Sequence, residues 1–364
     1  MPSFIPGIEL SRRFYVEAVQ PILERRWPGL PHAAALIGSG SEALGYDDET
    51  STDHWWGPMV TLFVQEADLP LEAAIRQRMA EELPPTVAGY PVNFGDSPAD
   101  PGMDVMQFKA QPPFKHHVFV NTVKGFTRAV LNWEPDDPLT AADWLSIPAQ
   151  SLLEVTAGAV HHDGIGALTA LRERLAWYPR DVWLYLLASG WERIGEEEHL
   201  MPRAGSRGDE LGSALIGSRL ARDAMMLAFL MERRYPPYPK WFGTAFMRLD
   251  SARRLAPALR RAQTASDWQT RGAALGEAFS ILAEMHNALG ITDPLPTATT
   301  AFFGRPFQVI QGHRFAEAIR ARISDPEVQA IAGRGLIGSI DQFSDSTDLH
   351  EAAHLRPAVR GLYG

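Results

Sequence analysis

Residues 35–64 read ALIGSGSEALGYDDETSTDHWWGPMVTLFV, and the fold turns on how this stretch is taken. An apolar run over 33–37 leads into Gly38-Ser39-Gly40-Ser41. An acidic loop follows (Asp47, Asp48, Glu49), then Ser51-Thr52-Asp53, then a second apolar run over 59–64. The two apolar runs read as strands. Glycine in the turn between them lets the backbone come close to a ligand, and free N–H groups with serine hydroxyls can cradle phosphate oxygens. Gly38, Ser39, Gly40 and Ser41 are therefore the candidate phosphate-holding residues.

The acids come next. Side chains at i and i+2 of a strand share a face, so two carboxylates at that spacing can share a divalent cation, and two cations can support an in-line attack on phosphorus. Here the i, i+2 pair is Asp53 and Trp55. An indole has one N–H donor and no lone pair to offer. Asp53 would hold a metal only weakly unless Asp47, Asp48 or Glu49 swings in. The plainer reading is a turn between strands, with Asp53 as a loop or cap residue.

Composition sets limits. The chain has 364 residues, 45% of them hydrophobic and 21% charged, which suits two globular domains with real cores. A net charge of −10 makes nucleic acid an improbable partner without a local basic patch. The sequence has no cysteine, so disulfides, thiolate zinc sites and cysteine catalysis are excluded. No apolar run reaches the ~18 residues of a membrane span, and the N-terminus lacks the apolar core of a signal peptide, so a cytoplasmic protein is expected.

Residues 10–26 have helical period and stop at Pro28-Gly29. A short helix is expected over 71–82, strands over 87–94 and 118–123, a helix over 125–133, and an irregular excursion over 96–114. Pro135-Asp136-Asp137-Pro138 marks a boundary. Beyond it helical period dominates: 140–156, 164–177, 181–198, 208–234, 254–262, 266–289 and 313–323. The class is α+β, with a mixed α/β domain over 1–135 and an α-helical domain over 136–364.

With those residues in view, the chain resembles a bacterial domain-of-unknown-function family of nucleotidyltransferase-like proteins. Gly38-Ser39-Gly40-Ser41-Glu42, Asp47-Asp48-Glu49, Asp53-His54 and Trp56-Gly57-Pro58 carry the resemblance. It continues in WLSIPAQSLLEVTAG (144–158), YPRDVWLYLLASGWERI (178–194), GDELGS (208–213), MERRYPPYPKWFGTAF (231–246), RPFQVI (305–310) and DQFSDSTD (341–348). The resemblance implies a DNA polymerase β-type nucleotidyltransferase domain followed by a helical half, with Asp53 as the first metal-binding aspartate. The family pattern places Asp at position 55, where this chain has Trp. It also expects a third carboxylate on a later strand, and the strand over 116–123 holds neither Asp nor Glu.

Further constellations stand beside plainer readings. His54, next to Asp53, suits a proton carrier or a structural hydrogen bond. Of His116 and His117 only one can enter a cleft, and His117 is the better candidate. His161-His162-Asp163 offers ligands, a general base, or ordinary solvated side chains. Arg219 and Asp223 are i, i+4 on one helix: either a salt bridge, or an arginine reaching a phosphate or carboxylate with Lys240 and Trp241 beyond the break at Pro236-Pro237. Trp55 offers stacking area for a ring-shaped ligand, or plugs an abandoned site. His350-Glu351-Ala352-Ala353-His354 matches H-E-x-x-H, the helical zinc pattern, without an evident third ligand.

Three functions follow in order. The first is a nucleotidyltransferase-fold protein with a degraded metal site and a cleft repurposed for a small molecule or nucleotide. The second is an active enzyme with unusual ligands, the only case that calls for Mg as cofactor, bound by Asp53 with Asp47 or Asp48. The third is a zinc hydrolase using the C-terminal histidine pair. No membrane partner is expected.

Overall fold

The computed structural model describes residues 3–97, 100 and 102–364. Its chain divides into two compact units, one formed by 1–138 with 150–176, the other by 139–149 with 177–364. A cut at residue 135 therefore misses a return: the chain re-enters the first unit to add a strand.

In the first unit α1 (Gly7–Phe14) runs through a π-helical turn (Tyr15–Val19) into α2 (Gln20–Arg26). The Gln20 N–H bonds back to the Tyr15 carbonyl. Pro21 explains the widening, because it has no N–H to give Glu17 and its ring would press on that carbonyl. Next come β1 (His32–Leu36), α3 (Ser41–Leu44), a 3₁₀ turn (Glu49–Asp53), β2 (Met59–Val64) and α4 (Glu72–Glu82). Two small hairpins, β3 (Thr86–Val87) with β4 (Tyr90–Pro91) and β5 (Phe94–Asp96) with β6 (Asp104–Met106), occupy the region expected to be one strand and an excursion. Then follow β7 (His117–Asn121) and α5 (Val123–Leu131); α6 (Ala141–Ser146) belongs to the second unit, and the chain returns to the first with α7 (Ala149–Thr156), β8 (Ala159–Asp163) and α8 (Ala167–Arg174).

The sheet order is β7-β2-β1-β8. β1 is antiparallel to β2, with Ala34 opposite Leu62, and to β8, while β2 and β7 run parallel. All five residues of β1 are buried. Its three alanines let layers close on both faces. Ala34 joins Phe14, Val19, Ile22, Leu62, Ile75 and Met79 on one side, and Ala33 and Ala35 meet Phe63 and Leu168 on the other. Gly158, at φ +69, starts β8 so close to β1 that a Cβ there would lie 2.0 Å from the Leu36 carbonyl oxygen. Arg172 fixes the end of α7 by donating to the carbonyls of Val155, Thr156 and Ala157.

The second unit is mainly helical: α9 (Arg180–Glu197), α10 (Leu200–Gly205), α11 (Glu210–Met231), α12 (Pro239–Phe246), α13 (Ala252–Thr264) and α14 (Trp268–Leu289), then a two-stranded ribbon, β9 (Thr300–Ala301) with β10 (Gln308–Val309), and α15 (Gly312–Arg320). The α+β class with a helical C-terminal part holds. Among the described residues, no helix is long and apolar enough to cross a membrane.

Candidate functional site

The Gly-Ser turn forms as expected, but it is not open. Gly38, at φ +128, spends its N–H on the Glu154 carbonyl at 3.0 Å. Gly40 precedes α3, and the carboxyl of Glu42 folds back over it: a Cβ on Gly40 would lie 1.9 Å from Glu42 Oε1 and 2.5 Å from Oε2. Glu42 is buried, and burial pushes its carboxyl above the usual range, with Asp47 adding to the rise and its own backbone amide opposing it. An internal carboxylate thus lies over the turn that was expected to cradle phosphate.

The acidic loop is also engaged. Asp47 Oδ2 accepts from Gly7 N at 2.6 Å and from Trp56 Nε1 at 3.0 Å. Asp48 caps the 3₁₀ turn, accepting from Thr50 N at 2.9 Å and from Thr50 Oγ1 at 2.5 Å, with Ser51 completing a capping box. Asp53 is exposed and accepts from His54 Nδ1 at 2.6 Å. These residues do not fit a magnesium pair: two of the three neighbouring acids hold the loop together, and among the described residues no group of three His, Asp or Glu side chains converges as a metal site.

The pleat argument for Asp53 and Trp55 is corrected. Asp53 ends the 3₁₀ turn, His54 is extended, and β2 begins only at Met59. Trp55 stands in the left-handed region at φ +49, a costly place for a bulky side chain. Its ring is nevertheless outward, 47% exposed, while Trp56 is buried with Leu10 and Tyr90. The turn, not strand alternation, parts the two indoles.

One face of Trp55 lies on His117 at 5.1 Å between ring centroids, and His117 lies on Phe94 at 3.5 Å. His117, the candidate for a cleft residue, is instead buried beneath Trp55, whereas His116 gives Nε2 to the Arg76 carbonyl. Asp104 organises the stack. Its carbonyl accepts from Trp55 N at 2.8 Å, its Oδ2 meets His117 Nε2 at 3.2 Å, and its Oδ1 accepts from Lys115 at 2.5 Å. Burial alone would raise the Asp104 pKa, but the bonds from Lys115 and His117 outweigh it and lower it. Burial lowers that of His117, against the pull of Asp104. Asp104 escaped sequence reading because it lies in a Pro- and Gly-rich excursion with no periodic signal.

Arg219, Asp223, Lys240 and Trp241 all belong to the second unit. The expected Arg219–Asp223 pair gives way to others. Arg219 forks onto Glu197 at 2.8 and 3.0 Å, and buried Asp223 takes Arg193 at 3.2 and 3.3 Å. Lys240 lies over the Trp241 ring at 5.0 Å. The zinc pattern fails on backbone grounds. The helix carrying His350 ends at Glu351, Ala352 turns at ψ 76, and His354 falls in a separate 3₁₀ turn, so the two imidazoles do not share a helix face.

No curated protein matches the chain. A crystal structure of a nucleotidyltransferase-like protein from Exiguobacterium sibiricum 255-15 is similar at 12% identity and a TM-score of 0.31, covering 78% of this chain and 77% of that one. The resemblance to a domain-of-unknown-function family is met over residues 144–242, which match the model of the family described as Domain of unknown function (DUF4037).

Proposed function

We propose that the chain is a bacterial, cytoplasmic binding protein on a nucleotidyltransferase-like scaffold, its turn and acidic loop recast to hold a flat small molecule or the base of a nucleotide. One observation carries this reading: where a second metal-binding acid is expected stands the half-exposed indole of Trp55, the outer ring of a stack anchored by Asp104. A nucleobase laid on that face would extend the column by one ring, a contact worth about 1–3 kcal/mol. The Glu42 carboxyl over the Gly-Ser turn opposes a phosphate there. The resemblance strings and the order strand, Gly-Ser turn, acidic turn, strand support the scaffold. Magnesium-dependent nucleotidyl transfer is the alternative, with Asp53 as its available acid.

Thermal shift with adenosine, ATP, and ATP plus magnesium separates the two. Stabilisation by adenosine and ATP alike, independent of magnesium and lost in Trp55→Ala, is expected. A shift that needs both ATP and magnesium and vanishes in Asp53→Ala would overturn the reading in favour of transfer. A metabolite retained through purification and identified by mass spectrometry would name the ligand.

A further inference from the structure

The N-terminal helix touches the candidate loop and, within the same few turns, a group of three histidines. Toward the loop, Gly7 N donates to Asp47 Oδ2 at 2.6 Å, Leu10 packs with Trp56, and Ser11 Oγ donates to the Met59 carbonyl at 2.6 Å. The Ser11 proton is thereby spent. His161 Nε2, 2.9 Å from Ser11 Oγ, must be the donor in that pair, which fixes its tautomer.

A bulge in β8 brings the other imidazoles in. Ala34 pairs with His162 and Ala35 with Val160, leaving His161 as the extra residue. Both rings consequently lie near Tyr15, at 6.4 and 6.2 Å between centroids. The Tyr15 hydroxyl is 2.9 Å from His32 Nε2, and His32 Nδ1 is 2.9 Å from the Leu30 carbonyl. His32 therefore donates through Nδ1 and accepts the tyrosine proton at Nε2. The His32 and His162 rings are 4.8 Å apart. The charged groups acting on the cluster are Glu9 and Arg12 from α1, paired with each other, and Glu24 from α2. Asp163 is turned away, accepting from Gly166 N and Thr169.

We propose that this cluster is an acid-operated latch: protonation of His32, which then cannot accept the Tyr15 hydroxyl, and of His161, beside Arg12, frees α1 and with it the hold of Gly7 on Asp47 and of Leu10 on Trp56. The π-helical turn that delivers Tyr15 is already a weak point in the helix. Burial lowers the pKa of His32 and, with Arg12, takes that of His161 to about 4 from an ordinary 6.5. The opened state binds protons more readily. Opening therefore becomes easier as pH falls from 6.5 toward 4, and the hold is complete above 6.5. For His161 alone, moving from pH 7.5 to 5 multiplies the open fraction on the order of 30-fold. The latch does not depend on the ligand reading.

Hydrogen exchange of the whole chain, corrected for intrinsic rates, tests it without any ligand. Amides of 7–26 should lose protection on the order of 30-fold between pH 7.5 and 5, while α11, which has no histidine, keeps its own. In His32→Gln/His161→Gln the loss should shrink to a few-fold. Unchanged protection at pH 5, or an equal loss in the double variant, overturns the latch. An NMR titration of the native chain decides independently of any variant: His161 titrating well below 6.5 upholds it, and titration near 6.5 removes its basis.

Discussion

Glu42 and Glu198 are both buried glutamates whose carboxyls lie against backbone at the start of a helix, one in each unit: Glu42 folds back onto Gly40 before its own helix, and Glu198, at the end of α9, reaches across to the first amides of α15. Glu198 is tightly held: Oε2 accepts from Ile310 N at 2.5 Å and Gln311 N at 3.3 Å, and Oε1 from Gly312 N at 3.0 Å. The glycine lets α15 press on α9, since a Cβ there would lie 2.4 Å from the Trp191 carbonyl oxygen. Glu42 has its own backbone amide and a four-residue helix, with Asp47 close enough to repel it. One carboxyl is a structural pin in a nest of three amides. The other sits loosely in a turn whose composition suits an outside anion. A buried carboxyl set against backbone amides is architecture in one place and a stopper in the other.

Replacing the pin should have the largest effect. Glu198→Ala leaves two buried N–H groups and one part-buried N–H without that acceptor and should cost about 3 kcal/mol or more, read as a fall in chemical or thermal stability. Glu198→Gln keeps one acceptor and should cost less. Burial outweighs the amides and lifts the Glu198 pKa to about 7. A carboxyl raised in the folded state contributes stability that is full below pH 4.5 and lost as pH rises toward 7. Glu198→Gln should flatten stability across that window. If Ala and Gln cost the same and the slope is unchanged, the pin is not what the geometry says.

Removing the stopper should cost less and add something. Glu42→Ala deletes a buried carboxyl whose burial already disfavours its charge, so about 1 kcal/mol is expected. The opened turn should then bind ATP more tightly than adenosine, where the parent chain treats them alike. Thermal shift with both ligands on both proteins gives the answer. An unchanged ATP-to-adenosine ratio would mean that Glu42 does not guard the turn, and the contrast with Glu198 would collapse.

These glutamates also mark where sequence reading reaches its limit. The strands at 33–37 and 59–64, the helix ending before Pro28-Gly29, and the long helices at 180–197, 210–231 and 268–289 were legible because apolar period and terminal prolines or glycines are local signals. The 140–156 helix breaks at Pro148, a break the proline rule already contains. What escaped is not local. β8 is a half-buried five-residue edge strand whose Ala-Val-His-His-Asp has no alternation, and only pairing with β1 makes it a strand. Asp104 meets His117 across thirteen positions. Treating 53–55 as strand failed because the 3₁₀ turn capped by Asp48 runs through Asp53, and after an extended His54 the chain turns again at Trp55 with positive φ. Of the candidate site, the turn between the two strands was readable, but not the outward setting of Asp53 and Trp55 nor the engagement of the turn and the stack by Glu42 and Asp104.

The smallest expected effects on stability come from the exposed end of the comparison. Asp53→Asn alters a carboxyl bonded to a half-exposed histidine, and such surface changes stay within about 0.5 kcal/mol. Trp55→Ala loses one half-exposed ring contact while a smaller side chain eases the left-handed backbone, so the two terms oppose and the net should stay within about 1 kcal/mol. Ligand binding should separate them sharply: Trp55→Ala abolishes the adenosine shift, and Asp53→Asn leaves it intact. That split is the finest discriminator available, because neither variant disturbs the scaffold enough to explain a loss by unfolding. If both variants lose adenosine equally, the acid and the indole act together on the ligand, and the stack alone is not the site. If neither loses it, the base lies elsewhere and Trp55 is a plug over His117 rather than a platform.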